Sequence, residues 1–274
     1  EPLAFPFMQN ALLTALIVSI TCGLLSCYLV LKGWSLMGDA VSHAVLPGIV
    51  LAFVFGIPLQ IGAFASGLLC SVGVGYLKNN SRLKEDTVMG IVFSGMFALG
   101  LVLFTKVETD QHLTHILFGN VLGVSREELL QTFAICAAVA LAVLLKRRDF
   151  MLYCFDPAQA RIAGLSPQLL HYSLLTLLAL TIITAMQVAG VVLVVAMLIS
   201  PGITAFLLTK RFERMMVIVV AASVFTSLAG TLLSYHLNSA TGPSIVILQA
   251  ILFLLALIWN KLRQTSGRHE AVAE

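Results

Sequence analysis

Long apolar stretches separated by short polar ones run along nearly the whole chain. A stretch of about 17–25 mostly apolar residues can cross the ~30 Å hydrocarbon core of a bilayer as a helix. Nine such stretches occur, at residues 7–31, 36–56, 59–77, 87–105, 129–145, 169–186, 188–208, 215–235 and 243–260. A further apolar piece, 112–124, is too short to cross and is predicted as a short re-entrant or interfacial helix. The pattern predicts an all-α fold, a polytopic transmembrane helix bundle.

Composition supports a membrane environment. The 274 residues are 59% hydrophobic and only 11% charged, whereas soluble domains average about 25% charged residues. We therefore expect one transmembrane domain over residues 1–274, embedded in the lipid bilayer, with no nucleic acid as partner. The chain has no phosphate-binding loop, no H-E-x-x-H and no G-x-S-x-G, so it is not expected to be an enzyme or to hydrolyse nucleotide itself.

Basic residues fix the expected orientation. If the N-terminus is outside, the inside segments are 32–35, 78–86, 146–168, 209–214 and the tail after residue 260. Of the 16 basic residues, only Lys106 and Arg126 then lie outside. The positive-inside rule favours this topology, with a cytoplasmic C-terminus in a bacterial inner membrane. An extra crossing at 112–124 would destroy this asymmetry.

Asp39 and His43 are the leading candidates for a functional site. Asp39 is the one acidic residue that the pattern places within an apolar helix, where a charge costs about 2.5–3.5 kcal/mol on insertion scales. His43 follows four residues later, which puts both on one helix face. A carboxylate and an imidazole side by side form half of a divalent-metal site. The alternative is that Asp39 caps the span or pairs with Lys32.

Two further sets of residues leave alternatives open. Asp110, His112 and His115 precede the short apolar piece on the outer side; they attract metal ions there or form an ordinary solvated loop. Pro47 is expected to bend the second span just after His43. Pro201 and Gly202 lie inside the seventh span, which is either a broken helix lining a pathway or a helix with a tolerated kink.

The segment 146–168 is the longest of the inside loops. Asp156 suits a helix N-cap, Pro157 the first turn and Gly164 a helix end. A short surface helix bracketed in this way is expected to dock a soluble partner.

Several motifs resemble one known family, the membrane permeases of bacterial ABC importers for manganese, iron and zinc, and most closely its Yfe/Sit-type chelated-iron and manganese members. The motifs that carry the resemblance are Leu31–Gly48, Ser81–Asp86 leading to Gly90, His115–Asn120, Asp156–Gly164, Leu198–Ala205 and Gly242–Val246.

The resemblance implies a permease subunit that passes Mn²⁺ or Fe²⁺, with Zn²⁺ as a third candidate, and holds no permanent cofactor. The implied partners are a second permease (identical or paralogous), two cytoplasmic ATPases and an extracytoplasmic metal-binding protein. Asp39 and His43 correspond to the family's metal ligands. The implied ATPase-coupling residues are Asp156, Pro157, Ala160, Arg161 and Gly164. Ala158 stands where the coupling pattern of other importers has glutamate.

A stand-alone metal carrier driven by an ion gradient is the alternative function. An internal inverted repeat, common in such carriers, is not apparent, and the docking helix would be unexplained. The sequence leaves open which metal is carried and whether the partner permease is identical.

Overall fold

The computed structural model describes residues 6–34, 36–106 and 126–270 of the chain. Within these ranges every regular element is an α-helix. In chain order they are α1 (Pro6–Lys32), α2 (Met37–Ala44), α3 (Leu46–Phe55), α4 (Leu59–Asn79), α5 (Glu85–Phe104), α6 (Arg126–Leu145), α7 (Arg147–Phe155), α8 (Pro157–Ile162), α9 (Pro167–Ala189), α10 (Val191–Leu208), α11 (Phe212–Leu237) and α12 (Thr241–Glu270).

The described ranges contain nine helical segments long and apolar enough to cross a membrane. Eight are single helices, and α2 and α3 together form the remaining one, Met37–Phe55. The nine predicted spans and the helical-bundle fold are therefore confirmed. The short piece at 112–124 lies outside the described residues, as do Asp110, His112 and His115.

The centre of the bundle is formed by α1, which packs against α6, α10 and α11. Helix α9 lies beside it and contacts α4 and α6. The α2–α3 pair sits between α4 and α5. Helices α5, α6 and α12 expose most of their apolar surface, so they form the periphery of the single chain.

The second span is interrupted just after His43, at the place where a bend was predicted. Helix α2 ends at Ala44 and α3 begins at Leu46. Proline has no backbone N–H, so Pro47 cannot donate to the His43 carbonyl one turn earlier. Val45 keeps helical dihedral angles (φ −70°, ψ −26°), so the chain is kinked rather than unwound. Ser66 of α4 stabilises the kink, because its hydroxyl donates to the Ala44 carbonyl at 2.6 Å.

Glycines let α3 and α4 approach each other closely. A Cβ added at Gly48 would collide with the Gly62 carbonyl oxygen, and a Cβ at Gly62 would collide with the Gly48 carbonyl oxygen. On the other side of the kink, a Cβ at Gly100 of α5 would lie 2.9 Å from Pro47 Cδ. Small residues are the usual means of close helix packing in membranes. The kink is thus enclosed by α4 and α5.

The seventh span is not broken. Helix α10 continues through Pro201 to Leu208, so the broken-helix alternative is wrong. Gly202 packs closely on α1, and its backbone N–H donates to the Ser26 hydroxyl at 2.9 Å. The contact with α1 therefore supports the backbone at this proline, and Pro201 and Gly202 act in packing within the described structure.

The loop 146–168 contains two helices where one was predicted. The predicted helix is α8: the Asp156 carboxylate accepts hydrogen bonds from the N–H groups of Ala158 (2.8 Å) and Gln159 (3.0 Å). Gly164 follows with a left-handed φ of +81°. The helix that the sequence did not reveal is α7, which buries Phe150 against the bundle.

Four side chains connect α7 to the bundle next to the start of α2. Lys32 Nζ lies 3.7 Å from the centroid of the Tyr153 ring. The Tyr153 hydroxyl and His171 Nδ1 of α9 form a hydrogen bond of 2.8 Å. The Trp34 ring packs edge-on against His171, with 5.3 Å between centroids. We call Lys32, Trp34, Tyr153 and His171 the cation–aromatic cluster.

Candidate metal site

Asp39 and His43 lie together on α2, as their spacing predicted. The His43 Nε2 and Asp39 Oδ1 atoms are 3.3 Å apart. Their side chains are 36% and 45% exposed, respectively, so the pair faces the outside of the single chain rather than its interior. Leu36, not Asp39, occupies the N-cap position of α2. Capping therefore does not explain the carboxylate.

Two phenylalanines of α5 hold the His43 imidazole in place. The centroid of the His43 ring is 5.5 Å from that of Phe93 and 5.4 Å from that of Phe97. The two phenylalanine rings also stack on each other, 6.2 Å apart. The sequence did not reveal these neighbours. Their own i, i+4 spacing was the available signal, but nothing in the sequence showed that this face of α5 meets α2.

The two ligand atoms are already spaced to chelate one metal ion. First-row divalent metals bind imidazole nitrogen and carboxylate oxygen at about 2.0–2.2 Å. With both bonds at about 2.1 Å, an O···N distance of 3.3 Å gives an O–metal–N angle of about 104°. That angle lies close to the tetrahedral value. The pair could therefore bind a divalent cation without rearrangement of α2.

The pair supplies only two ligands. Among the described residues, no group of three or more His, Cys, Asp or Glu side chains is placed to hold a metal ion. A tetrahedral site needs four ligands, so the Asp39–His43 pair is half of a site at most.

The pair lies between the centre of its span and the end that begins at Met37. Leu46 is the central residue of the span Met37–Phe55. At 1.5 Å per residue, His43 is about 5 Å and Asp39 about 10 Å from that centre. Both lie toward the end of the bundle that carries Lys32. The imidazole is therefore the deeper of the two groups, and the carboxylate lies only two residues from the start of the span.

An uncovered face of α5 adjoins the pair. Gly90, Ser94 and Ala98, one turn apart, are all exposed. A Cβ added at Gly90 would meet nothing within 4 Å. A row of small residues four apart is a common contact surface between membrane helices. In the described structure this row lies beside the phenylalanines that hold His43.

The residues expected to couple to an ATPase lie on and around α8, at the end of the bundle that also carries Lys32. Ala160 is fully buried, while Arg161 is exposed. Ile162 is 87% exposed, so α8 has an apolar side chain on its surface.

Known proteins match nearly the whole chain. The chain is 68% identical over 263 residues to a "Probable iron transport system membrane protein" of Haemophilus influenzae, covering 96% of this chain and 97% of the relative. It is 61% identical over 271 residues to the "Chelated iron transport system membrane protein YfeD" of Yersinia pestis, covering 99% and 91%. It is 49% identical over 258 residues to the "Manganese transport system membrane protein MntB" of Synechocystis, covering 94% and 84%.

A solved structure shows the same fold. "PsaBC from Streptococcus pneumoniae in complex with Fab" superposes with a TM-score of 0.81 at 40% identity, covering 92% of this chain and 91% of the other. The model of the ABC 3 transport family matches residues 4–260. The chain is therefore a multi-pass membrane protein that belongs to the ABC 3 transport family.

Proposed function

We propose that this chain is the permease subunit of an ATP-driven importer for Mn²⁺ or Fe²⁺, with Zn²⁺ as a third candidate cargo. The relatives named above are described as iron and manganese transport proteins, and the family is one of ABC transport proteins. The observation that carries the proposal is the Asp39–His43 pair, because its 3.3 Å spacing suits one divalent cation. The metal is cargo and is bound only in transit.

A second permease completes the site. Two pairs related by an approximate twofold axis would supply two carboxylates and two imidazoles, a ligand set that suits these metals. The exposure of the pair and the uncovered row of Gly90, Ser94 and Ala98 on α5 support a subunit interface at this side. The ion would then pass between the two permeases. The ion would be released when the two permeases separate, because each then withdraws its own pair of ligands.

The other partners are two ATPases on the cytoplasmic side and an extracytoplasmic protein that delivers the metal. Charge places α8 in the cytoplasm, with the N-terminus outside. Its exposed Ile162, next to the exposed Arg161, suits a groove in a soluble partner. ATP hydrolysis belongs to that partner and not to this chain. Asp110, His112 and His115 stay predictions for the outer mouth of the path.

Metal uptake by variants of the assembled complex tests the proposal. We expect Asp39→Ala and His43→Ala each to abolish uptake of radioactive manganese while the complex still assembles. Asp39→Asn should also fail, because it keeps the shape of the side chain but removes the anionic ligand. Glu213→Ala is the matched control, since it removes an exposed carboxylate from α11, away from the proposed site.

Two results would overturn the proposal. One is uptake at the wild-type rate by the double variant of Asp39 and His43. The other is uptake that continues when no ATPase subunit is present but requires an ion gradient, which would favour the stand-alone carrier. Competition among Mn²⁺, Fe²⁺ and Zn²⁺ in the same assay identifies the cargo.

A further inference from the structure

A long apolar groove lies on the side of the bundle formed by α10, α11 and α12. Its cavity volume is about 690 Å³. Phe225 of α11 and Leu255 and Trp259 of α12 line it and are 60%, 58% and 65% exposed. Along α12 the groove extends from Leu252 to Leu262, a helical rise of about 15 Å. That length is half of the ~30 Å hydrocarbon core, which is the depth of one leaflet.

A basic cavity adjoins the end of this groove. Its volume is about 890 Å³, and Leu208 lines both cavities. Four exposed basic residues, Lys210, Arg211, Arg214 and Arg263, line the basic cavity. Among the side chains that the structure describes, none of the four forms an ion pair. Their positive charges therefore remain available to an anion.

The two cavities meet at the level of the membrane surface. Trp259 lines the apolar groove next to Asn260, which lines the basic cavity. Tryptophan is enriched at the boundary between hydrocarbon and headgroups. Acyl chains would thus lie in the groove while a headgroup lies among the basic residues.

Only an amphiphilic anion matches both parts. Free phosphate or an acidic protein segment would use the basic cavity and leave the groove empty. A zwitterionic lipid would fill the groove but leave four positive charges without net compensation. Basic pockets between transmembrane helices are known to recognise anionic lipid headgroups.

We propose that the groove between α10, α11 and α12 binds one anionic phospholipid, whose acyl chains lie along the groove and whose phosphate contacts Lys210, Arg211, Arg214 and Arg263. None of the residues that line the two cavities is on α2 or α5, the helices that form the Asp39–His43 site, and the lipid site does not depend on which metal is carried. The lipid would link α11 and α12 at the end of the bundle that also carries α8.

Native mass spectrometry of the purified, delipidated permease complex tests this site. The probes are phosphatidylglycerol and phosphatidylethanolamine with the same acyl chains. We expect tighter binding of phosphatidylglycerol. Arg211→Gln combined with Arg214→Gln should weaken it about 25-fold, at about fivefold for each basic residue near an anionic headgroup. Arg82→Gln combined with Lys84→Gln, which removes two exposed charges elsewhere, should change nothing.

Further variants separate the lipid site from misfolding and from protein docking. Ala222→Trp fills the groove and should weaken both lipids. The charge-conserving pair Arg211→Lys and Arg214→Lys should keep the preference for phosphatidylglycerol. Equal binding of the two lipids by the wild type, or wild-type affinity in the glutamine double variant, would overturn the proposal. If the glutamine double variant loses the ATPase subunit but binds lipid as the wild type does, the basic residues dock a protein and the lipid proposal is wrong.

Discussion

The crossing of α3 and α4 makes one substitution unusually informative. Replacing Gly62 with alanine puts a Cβ atom 2.5 Å from the Ala52 Cβ atom and against the Gly48 carbonyl oxygen. Ordinary contact begins at 3.4 Å, so the two helices must move apart by about 1 Å. The carbonyl belongs to the backbone and cannot be relieved by a side-chain rotation. Helix α3 must therefore shift, or its packing on α4 is lost.

The matched control is Gly73→Ala in the same helix. A Cβ atom added at Gly73 meets nothing within 4 Å. Both variants gain the same helix propensity, up to about 1 kcal/mol, which cancels in the comparison. Overpacking costs about 1–3 kcal/mol. We therefore expect Gly62→Ala to be less stable than Gly73→Ala by about 1–3 kcal/mol.

The assay is the free energy of unfolding from an SDS titration in mixed micelles, followed by metal uptake in vesicles. Gly62→Ala should also slow uptake, because α3 carries the kink that follows His43. Gly73→Ala should transport normally. Equal unfolding free energies for the two variants would refute the argument, since they would mean that α3 and α4 are not in backbone contact.

Three other predictions concern single side chains. Asp156→Ala removes the cap of α8 at a cost of about 0.5–2 kcal/mol, so metal-stimulated ATP hydrolysis should fall while metal binding does not; unchanged hydrolysis would contradict a coupling role. Phe97→Ala removes a ring contact with His43 worth about 0.5–1.5 kcal/mol, so the KM of uptake should rise about two- to tenfold in a concentration series. Burial raises the pKa of the Cys154 thiol to about 12, with a nearby lysine opposing the shift. The thiol thus stays protonated well above pH 7. Maleimide should label it much more slowly than the cysteine of an Arg148→Cys variant, whose position is exposed, with the other native cysteines replaced by alanine.

The membrane spans were predictable because the hydrocarbon core of a bilayer permits few backbone structures. Backbone groups in hydrocarbon must be paired within the segment, so an apolar stretch of sufficient length becomes a helix. The Asp39–His43 contact followed from helical spacing alone. The N-cap of α8 could also be predicted from neighbouring residues alone, because an aspartate followed by proline favours the start of a helix.

Tertiary contacts were not predictable in the same way. Pro47 interrupts its helix and Pro201 does not, although both precede a glycine. The difference lies in the neighbours: Ser26 of α1 supports the backbone after Pro201. The ring contacts of His43 likewise depend on how α5 packs, which local spacing does not encode. Helix α7 was missed because its basic start resembles a loop.

The cation–aromatic cluster has a mechanical consequence for transport. Tyr153 is on α7, and one residue, Asp156, separates α7 from α8. Trp34 precedes the first residue of α2 by three positions, and Asp39 is the third residue of that helix. These aromatic rings are stiff and in direct contact, so we expect a displacement of α8 by the proposed ATPase partner to shift the start of α2 as well. A shift at the start of α2 would move the Asp39 carboxylate, so the proposed metal site and the proposed ATPase contact would be mechanically linked.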